Sequence, residues 1–88
     1  MEAAYLITDH AYFEMQRRDI SEEIVRKVLE EPDQVEEVRP DRRVYQSKIK
    51  FKDSNRTYLI RVFVDIGREP REVVTVYRTS KIAKYWRK

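Results

Sequence analysis

The hydrophobic period of this chain changes around Pro32, and that change constrains the fold more than any single residue does. Before it, apolar residues recur at helical spacing. Thr8 or Asp9 supplies a first cap, and an acid there suits the positive end of a helix dipole. Ala11 and Met15 then share one side, while His10, Glu14 and Arg17 follow an i, i+4, i+7 line on another, with Arg18 beside Glu14. This helix should stop near Asp19. Ser21 caps a second helix, with Glu22 and Glu23 in its first turn and Ile24, Val25, Val28 and Leu29 forming one apolar arc. Pro32 ends it, because the residue before a proline avoids helical backbone angles.

After Val35 the period drops to two. A short strand over 35–39 leads to a Pro40-Asp41 turn, and 44–51 alternates. Tyr45, Ser47, Ile49 and Phe51 share one face of that strand, and Gln46, Lys48 and Lys50 share the other. Residues 58–66 are apolar on both faces, as a central strand requires. A loop through Gly67 and Pro70 precedes a valine-rich strand over 72–78. Thr79 or Ser80 then caps a short helix, with Ile82, Tyr85 and Trp86 in one arc and Lys81, Lys84, Arg87 and Lys88 in the other. The expected fold is α+β, one domain over residues 1–88. Two N-terminal helices cover an antiparallel four-stranded sheet, and a short C-terminal helix follows.

Composition excludes much of the usual chemistry. Zero cysteines leave no disulfide framework and no thiol nucleophile, and a single glycine leaves no glycine-rich phosphate loop. One histidine makes a His-rich metal site untenable, so no metal and no cofactor are expected. The four serines stand in no nucleophile-elbow context, and the acids cluster at helix starts and turns. With no long apolar run and no leader pattern, the expectation is a soluble cytoplasmic protein that does not engage a membrane.

The net charge of +3 conceals a division. Residues 1–37 carry four basic side chains against eleven acids, a balance of −7, and residues 38–88 carry fifteen against five, a balance of +10. A basic half suits a polyanion, although a thermophile's surface shows the same enrichment in Glu, Lys and Arg. Three constellations stand out. His10 is the one side chain that ordinarily titrates near neutrality, hence a candidate acid or base; the alternative is a capping or packing histidine. Thr75 and Tyr77 share a strand face opposite Val74 and Val76, so with the valines turned to the helices they point at an open face of the sheet. Arg78, Lys81, Lys84 and Lys88 follow with Tyr85 and Trp86 interleaved, as unstacked RNA requires, or as the core anchors and solvated side of a terminal helix. Tyr45 and Tyr58 are a candidate cross-strand pair, flanked by Arg43 and Arg61.

Together, His10-Ala11, Met15, Arg18-Asp19-Ile20-Ser21, Val25, Val28-Leu29 and Pro32, with Val74-Thr75-Val76-Tyr77 and Lys84-Tyr85-Trp86, resemble the domain-of-unknown-function family 4258. That family is placed near the RelE/ParE and BrnT toxins. The family often has Arg at the position of Glu14 and Gly at that of Asp19. The resemblance implies a RelE-like toxin of a type II toxin–antitoxin pair: a metal-independent endoribonuclease acting on mRNA, including ribosome-bound mRNA. A cognate antitoxin would be its partner, with a homodimer left open. It carries over His10, Arg18, Thr75 and Tyr77 as catalytic positions. Arg43, Arg61, Arg78, Lys81, Lys84, Tyr85 and Lys88 are expected to bind nucleic acid. The alternative is a non-catalytic nucleic-acid or protein-binding module of the same fold.

Overall fold

The computed structural model describes residues 4–88. Strand β1 (Tyr5–Ile7) opens the chain, followed by helices α1 (Asp9–Arg17) and α2 (Glu22–Glu30). Strands β2 (Gln34–Arg39), β3 (Arg42–Phe51), β4 (Arg56–Asp65) and β5 (Arg71–Thr79) come next, and the one-turn helix α3 (Ile82–Tyr85) closes it. Both hydroxyl caps form. The Thr8 side chain accepts from the Ala11 N–H, and the Ser21 side chain from that of Ile24. Asp19 takes a left-handed φ of 55° where α1 gives way to α2, a conformation that aspartate tolerates better than most non-glycine residues.

The five strands lie in the order β1-β5-β4-β3-β2. β2, β3, β4 and β5 pair antiparallel in sequence, while β1 pairs parallel with β5 through Tyr5–Arg71, Leu6–Glu72 and Ile7–Val73. The expected four-stranded antiparallel sheet is therefore corrected to a five-stranded mixed sheet, still within the α+β class. Three residues are too few to show a period of two, so β1 escapes a reading by alternation. Tertiary contacts hold it: Tyr5 and Ile7 pack on the core, and the Thr8 N–H and hydroxyl both donate to the Val73 carbonyl.

One face of the sheet carries the core. Ile60, Val62 and Val64 of β4 and Val73 and Val76 of β5 meet Ala11 and Met15 of α1, and Val25 and Val28 of α2. Val73 and Val76 stand three apart and yet share this face, because the register shifts between Phe63 and Val64 and leaves Val74 as the extra residue of a bulge. The expected sharing of one face by Val74 and Val76 is thus corrected: Val73, not Val74, is buried with Val76. Gly67 serves packing rather than phosphate binding, since a Cβ there would come within 3.0 Å of the Asp41 carboxyl carbon.

The expectation of an open opposite face is overturned, because the C-terminal segment crosses it. Ile82, Tyr85 and Trp86 are half-buried, and the Lys48 ammonium lies 4.0 Å from the centre of the Trp86 ring. Neither Thr79 nor Ser80 caps α3; Lys81 occupies the cap position without a side-chain bond, and the Thr79 hydroxyl accepts from the Lys81 N–H instead.

Candidate functional site

The site grows from the polar stripe on that second face. Because β3 and β4 pair Gln46 with Arg61, and β4 and β5 pair Arg61 with Tyr77, three polar side chains from three adjacent strands stand in one row. An Arg61 Nη donates to the Tyr77 hydroxyl at 2.5 Å, and Arg61 Nε donates to Gln46 Oε1 at 2.9 Å. The Gln46 amide nitrogen donates to Gln34 Oε1 of β2 at 2.7 Å and to the Tyr85 carbonyl at 3.2 Å. Gln34 in turn holds both the N–H and the carbonyl of Arg87. The row spans four strands and fastens the chain's last residues to the sheet.

Aromatic rings and cations gather at the Tyr77 end of the row. The Tyr77 ring stacks on Phe63 with centroids 6.0 Å apart and meets Tyr85 edge-on at 6.2 Å. Arg61 lies 4.4 Å from the Tyr85 ring centre, and Arg18 reaches to 5.7 Å from that of Tyr77. The position of α1 allows this reach. Its Tyr12 flank faces α2, where the Tyr12 hydroxyl donates to Glu22, so the opposite flank lies along β5. On that flank Glu14 accepts from Arg18 at 3.0 Å and from Arg17 at 3.3 Å, and these cations hold its carboxyl below its ordinary range.

The two phenols are shifted in opposite directions. Burial raises the Tyr77 hydroxyl, against the pull of Arg61. Tyr85 is lowered by the Tyr77 hydroxyl beside it, with help from Lys84 and Arg61. At one position, then, the sheet gathers two phenols shifted in opposite directions and two guanidiniums, an arrangement that can hold an anion beside groups able to exchange protons.

Of the expected catalytic set, the structure brings Arg18 and Tyr77 together. Thr75 lies on the same face, opposite Phe63. His10 stands apart: it is exposed in the first turn of α1, roughly 12 Å along the helix axis from Arg18. The expected nucleic-acid set divides between the faces. Arg61, Lys84 and Tyr85 join the cluster, whereas Arg43, two residues before Tyr45, and Arg78, paired with Ile60, belong to the helix-covered face. Lys81 and Lys88 are exposed on the terminal segment. Tyr45 and Tyr58 do not pair, for their cross-strand partners are Val62 and Ile49. Tyr45 instead meets the Tyr5 hydroxyl, and Tyr58 meets Phe51 edge-on at 5.4 Å. Among the described residues, no three His, Cys, Asp or Glu side chains gather as a metal-holding group. No helix among them is long and apolar enough to cross a membrane.

Gln46 and Gln34 were missed. Gln46 reads from sequence as part of a solvated face with Lys48 and Lys50, yet it is fully buried. One signal pointed to a cover: Leu59 and Phe63 leave β4 apolar on its second face, and the Ile82–Tyr85–Trp86 arc had no assigned partner surface.

Fold and cluster define a small α+β domain with a cation–phenol site on the sheet face away from its two longer helices. The chain belongs to the family described as Domain of unknown function (DUF4258), whose model matches residues 7–78. Tyr77, Arg61, Gln46 and Arg18 fall inside that match, and Tyr85 and the terminal segment beyond it. No curated protein and no solved structure matches the chain.

Proposed function

We propose that this protein cleaves single-stranded RNA without a metal, as the cytoplasmic toxin of a type II toxin–antitoxin pair. The observation that carries the reading is geometric: the Tyr77 and Tyr85 rings meet edge-on, with Arg61 against both and Arg18 against Tyr77. With its phenolic proton lost to water, Tyr85 takes the proton of a ribose 2′-hydroxyl, whose oxygen attacks the adjacent phosphorus. Arg18 and Arg61 neutralise the charge growing on the phosphoryl oxygens. As the bond from phosphorus to the 5′-oxygen breaks, the Tyr77 hydroxyl gives that oxygen its proton, and Arg61 steadies the resulting phenolate. The products are a 2′,3′-cyclic phosphate and a 5′-hydroxyl, and exchange with water resets both phenols. Phe63 and the tyrosine rings offer flat surfaces for unstacked bases, and Lys81, Lys84 and Lys88 offer charge for neighbouring phosphates. An antitoxin would silence the site by covering this basic face with an acidic or apolar segment.

The test is cleavage of a defined single-stranded RNA in chelator, with a 2′-deoxy substrate as control. Tyr85→Phe and Tyr77→Phe should each lower the rate by about a hundredfold or more, in line with loss of general acid–base catalysis. The base must be deprotonated and the acid protonated, so the rate should rise with pH toward the lowered Tyr85 value and fall above the raised Tyr77 value. His10→Ala decides between Tyr85 and His10 as the base: the rate should be unchanged, and a loss as large as that of Tyr85→Phe would assign the role to the histidine. A second reading, a binding module without cleavage, is favoured by one observation: Tyr77 and Arg61 are already bonded within the row. RNA bound tightly and never cut would establish it.

A further inference from the structure

Arg78 carries a cluster of its own on the opposite face of the same sheet. Its guanidinium lies 4.8 Å from the ring centre of Phe51 and 4.7 Å from that of Tyr58, and these two rings meet at right angles. Arg56 adds a second cation 5.9 Å from the Tyr58 ring. The placement follows from register. Phe51, Arg56, Tyr58 and Arg78 all fall on the face that carries the valine core, at the end where the β3–β4 hairpin runs on past β5. Leu59, not Tyr58, aligns with the last residue of β5, so Arg56 and Tyr58 extend beyond that strand.

The cluster has cations without anions. Among the described residues, the ion pairs join Arg17, Arg18, Arg42, Arg68 and Arg87 to carboxylates, and neither Arg56 nor Arg78 has one within 4.0 Å. Arg78 is half-buried all the same. Rings on two sides orient a guanidinium and offer it no counter-charge, so its charge is left for a ligand. Lys52, next to Phe51 in the chain, is exposed and adds to the same sign.

We propose that the Arg78–Phe51–Tyr58–Arg56 cluster is a second anchoring site for single-stranded RNA, separate from the Tyr77–Tyr85 site. Arg78 and Arg56 take a phosphate there, and the Tyr58 ring takes an unstacked base. The proposal rests on the RNA-directed reading of the first site and extends it. One strand runs from the cleavage site around the end of the sheet, past Thr79, Ser80 and the exposed Lys81, to the hairpin. The two sites lie on opposite faces, so one short oligonucleotide cannot fill both, and affinity should increase once the strand is long enough to reach.

The experiment measures binding of labelled single-stranded RNA of increasing length across a salt series. It compares the parent with Arg78→Met, Arg56→Met, Tyr58→Leu and, as control, Arg26→Met on the exposed side of α2. For the longer strands, each of the first two should reduce the salt slope by about 0.7 for the phosphate contact it removes. Tyr58→Leu should weaken binding by about tenfold with the slope unchanged, as loss of one stacked base does. Short strands should bind all variants alike. Arg56 is exposed, so its variant tests the site even if Arg78→Met is poorly folded. A parent that binds no single-stranded RNA overturns both this proposal and the reading it rests on. A parent whose RNA binding is unaffected by all three variants overturns this site alone. Variants that instead lose affinity for a glutamate-rich peptide, and not for RNA, assign the cluster to a protein partner and overturn it too.

Discussion

The two faces of one sheet solve the same packing problem with opposite chemistry. On the face under α1 and α2, Ile60, Val62, Val64, Val73 and Val76 are fully buried among apolar neighbours. On the other, the side chains that alternate with them include Gln46, Arg61 and Tyr77, and the cover is the tail, anchored largely through the Tyr85 carbonyl and the Arg87 backbone. The first face gains from leaving water and is indifferent to direction. The second gains less on balance, because each hydrogen bond replaces one to water. What it acquires is fixed geometry, since a buried amide holds its partners at set angles. Both faces bury apolar residues, Val44 and Leu59 among those of the second, but only the second carries the polar row that fixes chemical placement.

Substitutions that break this comparison differ in size. Ile60→Ala, which empties part of the dry face, should cost about 2–5 kcal/mol by urea unfolding. A loss well under that range would mean that the valine face does not carry the fold. Gln46→Leu should cost less, about 1–3 kcal/mol, because it strips Arg61 of an acceptor and the Tyr85 carbonyl of a donor. Gln46→Glu is the sharper variant. It keeps an acceptor for Arg61 and removes both donors, so the tail should become cleavable by trypsin after Lys81 and Lys84 while the core stays folded. Equal resistance to trypsin in parent and variant would show that the row does not hold the tail.

Smaller effects test how the helices join the sheet. Thr8→Ala and Ser21→Ala each remove a cap worth about 1 kcal/mol. Thr8 should matter more, since its hydroxyl also donates to the Val73 carbonyl beside the bulge; identical losses in thermal melts would deny that link. The smallest change is expected at Asp65, which accepts two bonds from Arg42, the shorter 2.6 Å. Arg42 holds this carboxyl below its ordinary range. The pair therefore stabilises the fold above the unfolded carboxylate value of about 3.9, and that contribution disappears as pH falls through the lower folded value. Asp65→Asn should lose under about 1 kcal/mol at neutral pH and match the parent in acid.

Much of the dry face was legible in the sequence. Its strands repeat every two residues, its helices at helical spacing, and Thr8, Ser21 and Pro32 mark the boundaries. The candidate site was legible only in part. Tyr77 and Arg18 were singled out, but nothing in their spacing joins an arginine at the end of α1 to a tyrosine on β5. The bulge at Val74 left no trace either, because valine suits both faces of a strand. It moved Val73 into the core and kept Thr75 and Tyr77 together on the far side. In sequence Arg78 groups with the lysines that follow it, whereas strand alternation puts it on the opposite face from Tyr77.

By itself, the sequence determined what local physics can carry: the caps of the first two helices, the change of period at Pro32, the charge division and an α+β class without thiol or glycine-loop chemistry. Tertiary structure decided the rest. It added β1 to the sheet, chose the C-terminal segment as the second cover, buried Gln46 and gathered Tyr77 and Tyr85 around Arg61, with Arg18 at Tyr77. Short parallel pairing and cross-sheet hydrogen bonds depend on contacts between residues dozens of positions apart, and no repeat along the chain encodes those.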